Sequence, residues 1–277
     1  MKKLLPTAVK ILLSLLVIIG LTIGQQWIVD QFEESGNVFA AIIINFSFPV
    51  LIFFLVRVFN KKYNQLVPAG AGFTLKGFPK NLVLGIFSAV AIIGSVLGIS
   101  TLFGVSFAFN GLQKNATVPL IELIAANWVI GAWEEMYFRG IVFNTLLKGK
   151  SGFRTAIFIS AVLFTILHAG TYDMSVTSPF WFIVVFLLSY ILVYLYVITR
   201  SIWAPVGFHF SWDLLWGMMD DPENKVDMLH LNHYADNAVL LDSISMPVLA
   251  VFLLWLFYID KKRQASRMMT CLFIENS

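Results

Sequence analysis

GAWEEMYFRG, residues 131–140, sets two glutamates and an arginine inside a stretch whose flanks read as membrane. A charge at the bilayer centre costs at least about 2.5 to 3.5 kcal/mol on insertion scales. Glu134, Glu135 and Arg139 therefore need a reason to be there, and whether the surrounding run enters lipid decides the fold.

The composition answers for lipid. Of 277 residues, 58% are hydrophobic and only 13% charged, with a mean hydropathy of +0.81. A soluble core could not hide that much apolar surface, so the chain reads as an all-α, polytopic membrane protein. Hydrocarbon about 30 Å thick takes roughly 20 apolar residues per helix. Candidate spans are residues 12–28, 38–56, 82–103, 118–147, 155–169, 180–199, 202–218 and 244–258.

Charge tests this count of about eight spans. With a cytoplasmic N-terminus, all but three of the 19 Lys and Arg residues fall on the cytoplasmic side, the exceptions being Lys114, Arg139 and Lys225. The opposite side collects Asp30, Glu33, Glu34, Asp173, Asp220, Asp221, Glu223, Asp227, Asp236 and Asp242. This positive-inside bias fits an N-in/C-in topology. The run after Lys2 and Lys3 is long and lacks a small-x-small cleavage site near Gly24, so it reads as a retained helix.

The net charge of +3 follows from cytoplasmic-loop lysines, and no aromatic-basic interleaving points to nucleic acid. The single Cys271 excludes an intramolecular disulfide. Residues 60–80, with Pro68, Gly70, Gly72 and Pro79, read as a connector and not a domain boundary, so 1–277 is one domain with a motif-bearing core at about 118–219. Gly85, Gly94 and Gly98 read as helix-packing positions. Glu122 reads as a solvated charge near the outer interface.

The remaining ionisable residues in the spans lie at similar depth. Glu134 and Glu135 are 14 and 13 residues from Lys148, His168 is 14 from Arg154, and Asp213 and His209 are 13 and 9 from Arg200. At about 1.5 Å per residue, the first four sit roughly 20 Å from the cytoplasmic edge and His209 roughly 14 Å. Glu135 and Arg139 are i,i+4 neighbours suited to an ion pair, while Glu134 points about 100° away. His209 and Asp213 also share one helical face.

Taken in order, Glu134-Glu135-x-x-x-Arg139, Phe164-x-x-x-His168 and His209-x-x-x-Asp213 resemble the three motifs of the CAAX prenyl protease and bacteriocin-processing (CPBP, or Abi) family of intramembrane proteases. The resemblance implies a metal-independent glutamic endopeptidase acting on membrane-associated peptides or proteins. Glu134 and His168 would activate water, Glu135 would support the site with Arg139, and His209 with Asp213 would stabilise the oxyanion. Relatives of the type II prenyl endopeptidase usually carry Asn where this chain has Asp213. An ionised carboxylate only accepts hydrogen bonds and would repel the developing charge. Asp213 is thus expected to be protonated or paired with His209, turning the other ring N–H toward the oxyanion.

The substrates so implied are prenylated C-terminal peptides or bacteriocin and pheromone precursors, met in a bacterial cytoplasmic membrane. The site is expected to open toward the cytoplasm or the mid-membrane. Two other readings stand beside this one. A non-catalytic scaffold or bacteriocin self-immunity protein could use such a fold to bind partners without cutting them. Two Glu and two His from three helices could instead hold zinc, although no His-Glu-x-x-His is present. His230-x-x-His233, in an acidic loop, is read as no ligand pair. A transporter fits less well, since the polar residues cluster and no paired inverted repeats are evident.

Overall fold

Each of the eight apolar runs falls on a helical segment in the computed structural model, which describes residues 5–109, 116–149, 151–171, 179–219, 226, 229–231 and 234–274. In chain order these are α1 (Thr7–Glu34), α2 (Val38–Phe59), α3 (Phe78–Leu102), α4 (Thr117–Tyr137) continued by a π-helical turn (Phe138–Phe143) and α5 (Asn144–Lys148), α6 (Phe153–Leu167), α7 (Trp181–Thr199), α8 (Trp203–Gly217) and α9 (Tyr234–Ile274). Lys2, Lys3, Lys114, Lys150, Asp173, Asp220, Asp221, Glu223, Lys225, Asp227 and His233 lie outside the described residues.

Five described helices, within α1, α2, α3, α7 and α9, are long and apolar enough to cross a membrane. α6 and α8 have 15 residues each, about 22 Å at 1.5 Å per residue, and α4 carries Glu122, Glu134 and Glu135. The exposure pattern is inverted relative to a soluble protein. Leu16, Phe87 and Leu254 on the outer faces of α1, α3 and α9 are each more than half exposed, whereas Glu135 and Arg139 are at 0%. Broad exposed apolar surface suits contact with lipid, and buried charge facing the bundle interior suits a membrane helix. The chain is a polytopic helical membrane protein.

The all-α expectation omits one small element. β1 (Phe107–Phe109) pairs antiparallel with β2 (Leu229–Leu231), Phe107 opposite Leu231. Three residues per strand are too few for alternation to register as a pattern in the sequence.

α8 packs against both α3 and α4, and glycines set how closely it approaches. A Cβ on Gly85 of α3 would run into the backbone oxygen of Ala204, and one on Gly207 of α8 into that of Leu82. The two helices thus meet backbone to backbone at reciprocal glycines, as small residues allow in membrane bundles. On the α4 side, a Cβ at Gly131 would lie 2.9 Å from the Phe210 nitrogen. Gly131 is one turn before Glu135, and Phe210 follows His209, so this contact sets the spacing between the two motif helices. Gly94 and Gly98 have nothing within 4 Å of an added Cβ; of the three glycines expected to pack helices, only Gly85 does so.

The connector after α2 is also part of the bundle. Ile202 N–H donates to the Gly72 carbonyl (3.0 Å) and Trp203 Nε1–H to that of Thr74 (3.0 Å), fastening the corner between α7 and α8. Gly72 has a φ of 84°, and a Cβ there would strike the Tyr196 ring.

Gly207→Val is expected to lower unfolding stability in detergent by about 1 to 3 kcal/mol through overpacking, whereas Gly94→Val, facing outward, should leave it within about 0.5 kcal/mol. Denaturant titration of the two variants checks this.

Candidate active site

α4 sends its two adjacent glutamates in different directions. Glu135 turns into the bundle, where Oε1 accepts from Arg139 Nη1 at 2.8 Å and meets His209 Nδ1 at 3.0 Å. Arg139 Nη2 reaches the Ser189 carbonyl on α7 at 3.2 Å. Glu134 instead faces a cavity of about 620 Å³. Its Oε2 lies 3.3 Å from His168 Nε2 and 3.9 Å from His209 Nε2. Asp213 Oδ2 stands 3.3 Å from the same His209 nitrogen. All six residues singled out in the sequence are therefore joined by a chain of contacts, contributed by α4 with its π turn, by the end of α6, and by α8.

Local structure explains the placement. His168 opens the 3₁₀ turn that ends α6, and its Nδ1 bonds the Phe164 carbonyl (2.8 Å), one of the C-terminal carbonyls a helix leaves open. Phe164 stacks on the His168 ring at 4.2 Å and lies 5.1 Å from the Arg139 guanidinium. It thereby walls the arginine from the cavity histidine.

Arg139 sits in the π turn, a widening that is common at functional sites. The carbonyls around it are taken up by asparagines: Asn144 Nδ2 donates to Arg139 O (2.9 Å) and to the Tyr196 hydroxyl (3.0 Å), while Asn60 Nδ2 donates to Gly140 O (2.8 Å). Asn64 braces this group through Asn60 Oδ1 and Thr145 Oγ1. Sequence reasoning missed Ser189, Asn60, Asn64, Asn144 and Tyr196. Their signal was present as polar residues in or beside apolar runs, but uncharged side chains are cheap enough in a helix not to stand out.

Donor bookkeeping assigns the protons. A carbonyl only accepts, so His168 Nδ1 carries hydrogen toward Phe164. Glu135, paired with Arg139, is an acceptor, so His209 Nδ1 carries hydrogen toward it. Each histidine then turns Nε2 to the cavity carboxyls, His168 to Glu134 and His209 to Asp213 and Glu134. With a proton on both of these nitrogens, three carboxylates face one guanidinium and two imidazolium groups, and the cluster is neutral. The same balance holds with neutral histidines and one divalent cation. One ligand atom each from Glu134, His168 and His209 lies within 4.8 Å of the others, and histidines with Nδ1 tied to an acceptor are common metal ligands.

One expectation changes. The second N–H of His209 was to face the oxyanion while Asp213 held the ring; here Glu135 holds the ring through Nδ1, and the cavity-facing nitrogen is the one beside Asp213. The cavity extends along α1. It runs from the cluster to Gln26 and Glu33 near the end of α1 and to Trp181 at the start of α7, away from the helix ends that carry Lys148, Arg154 and Arg200. Glu122 is exposed, as expected, and lines an adjoining cavity with Glu33.

Fold and site together describe a helical membrane protein with a polar Glu/His centre facing an internal cavity, as an intramembrane hydrolase requires. Residues 116–215 match the family model for type II CAAX prenyl endopeptidase Rce1-like proteins, a segment that contains all six site residues. The resemblance to the CPBP family of membrane proteases thus stands, and the chain is CAAX-protease-like. No curated protein and no solved structure matches it.

Glu135→Gln leaves Arg139 buried without a counter-charge and is expected to cost about 3 to 5 kcal/mol of stability. Glu134→Gln, at the cavity wall and still able to bond His168, should change stability by less than about 1 kcal/mol. Unfolding of both variants in one detergent distinguishes the two glutamates.

Proposed function

We propose that the protein is a metal-independent intramembrane glutamic endopeptidase in a bacterial cytoplasmic membrane, with eight crossings and both termini inside. The observation that carries this reading is the Glu134–His168 pair in the wall of a large internal cavity, with Oε2 and Nε2 3.3 Å apart. A water bound between them can give a proton to the Glu134 carboxylate while its oxygen attacks a peptide carbonyl carbon. His209 Nε2–H is the donor for the resulting oxyanion in this scheme, held by Glu135 from behind. Collapse breaks the C–N bond, and the proton taken up by Glu134 passes to the leaving amine. Pre-positioned acid–base groups of this kind contribute typically 10²- to 10⁴-fold in rate.

In this scheme Glu135, Arg139 and Ser189 are positioning groups. Asp213 accepts from His209 Nε2–H in the resting site, and its hydrogen bond yields to the oxyanion. The substrates are membrane-associated peptides or proteins. The cavity's extension toward the acidic ends of the helices favours peptides delivered from that side or from within the bilayer over a strictly cytoplasmic supply, and so favours exported precursors over prenylated C-termini.

The clustered ligand atoms favour a second reading, a zinc site held by Glu134, His168 and His209. It ranks lower because a hydrolase also needs a base, and with Glu134 bound as a ligand only Asp213 would be left for that role.

Mass-spectrometric mapping of peptide termini in membranes of cells making the wild type or Glu134→Gln, at matched amounts, tests the proposal. New termini present only with the wild type, and persisting in isolated membranes treated with a strong chelator, are expected. Identical profiles would contradict proteolysis and leave the scaffold or immunity reading; termini lost on chelation and restored by zinc would establish the metal reading instead.

A further inference from the structure

The wall of the catalytic cavity also carries a pair of carboxamides that the chemistry above does not use. Gln25 on α1 and Asn45 on α2 line the cavity together with Glu134 and His168, and Gln25 Nε2 donates to Asn45 Oδ1. Three polar neighbours of the pair along these helices are satisfied within their own helix. Thr22 Oγ1 bonds Ile18 O and Ser47 Oγ bonds Ile44 O within their own helices, and Gln26 bonds Asp30.

The Gln25–Asn45 bond crosses helices and leaves each partner half used. Among the described residues, Gln25 Oε1 and the Asn45 Nδ2 hydrogens have no other bond. A carboxamide has two donors and an acceptor with two lone pairs, so one bond between two of them leaves an acceptor on one and a donor on the other. Exchanging O and N in both amides only swaps which residue offers which. Pairs that serve merely to tie membrane helices together lie in the seam between them, whereas this one borders the space a substrate must enter.

An acceptor beside a donor is the complement of a peptide main chain, which in extended form offers N–H and C=O groups along one edge. Strand-addition binding uses the same matching, with main-chain hydrogen bonds supplying affinity irrespective of side chains. Aromatic neighbours in the cavity wall, Phe48, Trp133 and Trp181, leave room for apolar side chains.

We propose that Gln25 and Asn45 form a main-chain-binding subsite that holds the substrate backbone extended in the cavity that Glu134 and His168 also line. This rests on the peptide-hydrolase reading above. The pair is a positioning element, and it selects unwound peptide over helix, because a helix has already spent its main-chain N–H and C=O groups on itself.

The test measures binding without requiring cleavage. In liposomes, Glu134→Gln protein carrying benzoylphenylalanine in place of Trp181 is cross-linked to a biotinylated ten-residue Val/Ala/Gly peptide and to the same peptide with a fully N-methylated backbone. The expected result is at least fivefold more capture of the ordinary peptide, lost when Gln25→Leu and Asn45→Leu are introduced together. The exchange Gln25→Asn with Asn45→Gln should restore it. Equal capture of the two peptides, or capture unaffected by the double Leu replacement in a protein that still melts cooperatively near the parent's midpoint, would overturn the subsite. Failure of the hydrolase reading would look different: the ordinary peptide would be captured through the pair, yet no peptide termini would depend on Glu134 in membranes.

Discussion

The Glu135–Arg139 ion pair is the interaction from which the rest of this site is built. Both side chains are fully buried, and their 2.8 Å contact joins the last turn of α4 to the π turn that follows. Removing two charges from water costs several kcal/mol each, and contacts with neighbouring helices offset part of that cost. Glu135 also holds His209 on α8, and Arg139 reaches Ser189 on α7. Three helices are thereby tied at one point. The ring of His209 can be oriented toward the cavity only while Glu135 remains an acceptor on its far side.

Around this node the two neighbouring glutamates divide the labour. A step of about 100° along the helix sends one carboxyl into the buried interior beside Arg139 and the next into a cavity beside His168. Such a division needs α8 close to α4, which Gly131 permits, and a helix that widens at Arg139, which the asparagine group of Asn60, Asn64 and Asn144 stabilises. The architecture thus separates the charges that hold the site together from those free to react. That separation is what general acid–base chemistry demands in a low-dielectric setting, where an unpaired buried charge is costly.

Much of the site was legible because charge in a membrane helix is conspicuous. Spacing alone paired Glu135 with Arg139, and counting from basic residues brought His168 and Asp213 to the depth of the glutamates and His209 to within about 6 Å of it. What could not be read were features that depend on how helices rotate and approach. The π turn breaks an expected continuous run at 118–147, yet nothing in residues 138–143 announces it; its stabilising asparagines come partly from the turn that follows α2. Which nitrogen of His209 faces the cavity depends on Glu135 lying behind the ring, a tertiary fact. Gly85 and Gly94 looked equivalent in the sequence, and only the packing of α8 separates the one that meets a neighbour from the one that faces outward. That the cavity reaches Glu33 on α1 and Trp181 on α7 is likewise a tertiary fact that no local pattern encodes.

The central claim is that Glu134 and His168 act as one unit on a bound water. The most direct measurement is a double-mutant cycle on purified protein in liposomes, comparing Glu134→Ala, His168→Ala and the double variant on a peptide spanning a bond that the wild type cuts. If the two groups share one step, either single change should cost about as much as both together, since residues acting as a unit are grossly non-additive. Losses that simply multiply, or a single variant that retains wild-type turnover, would contradict the account.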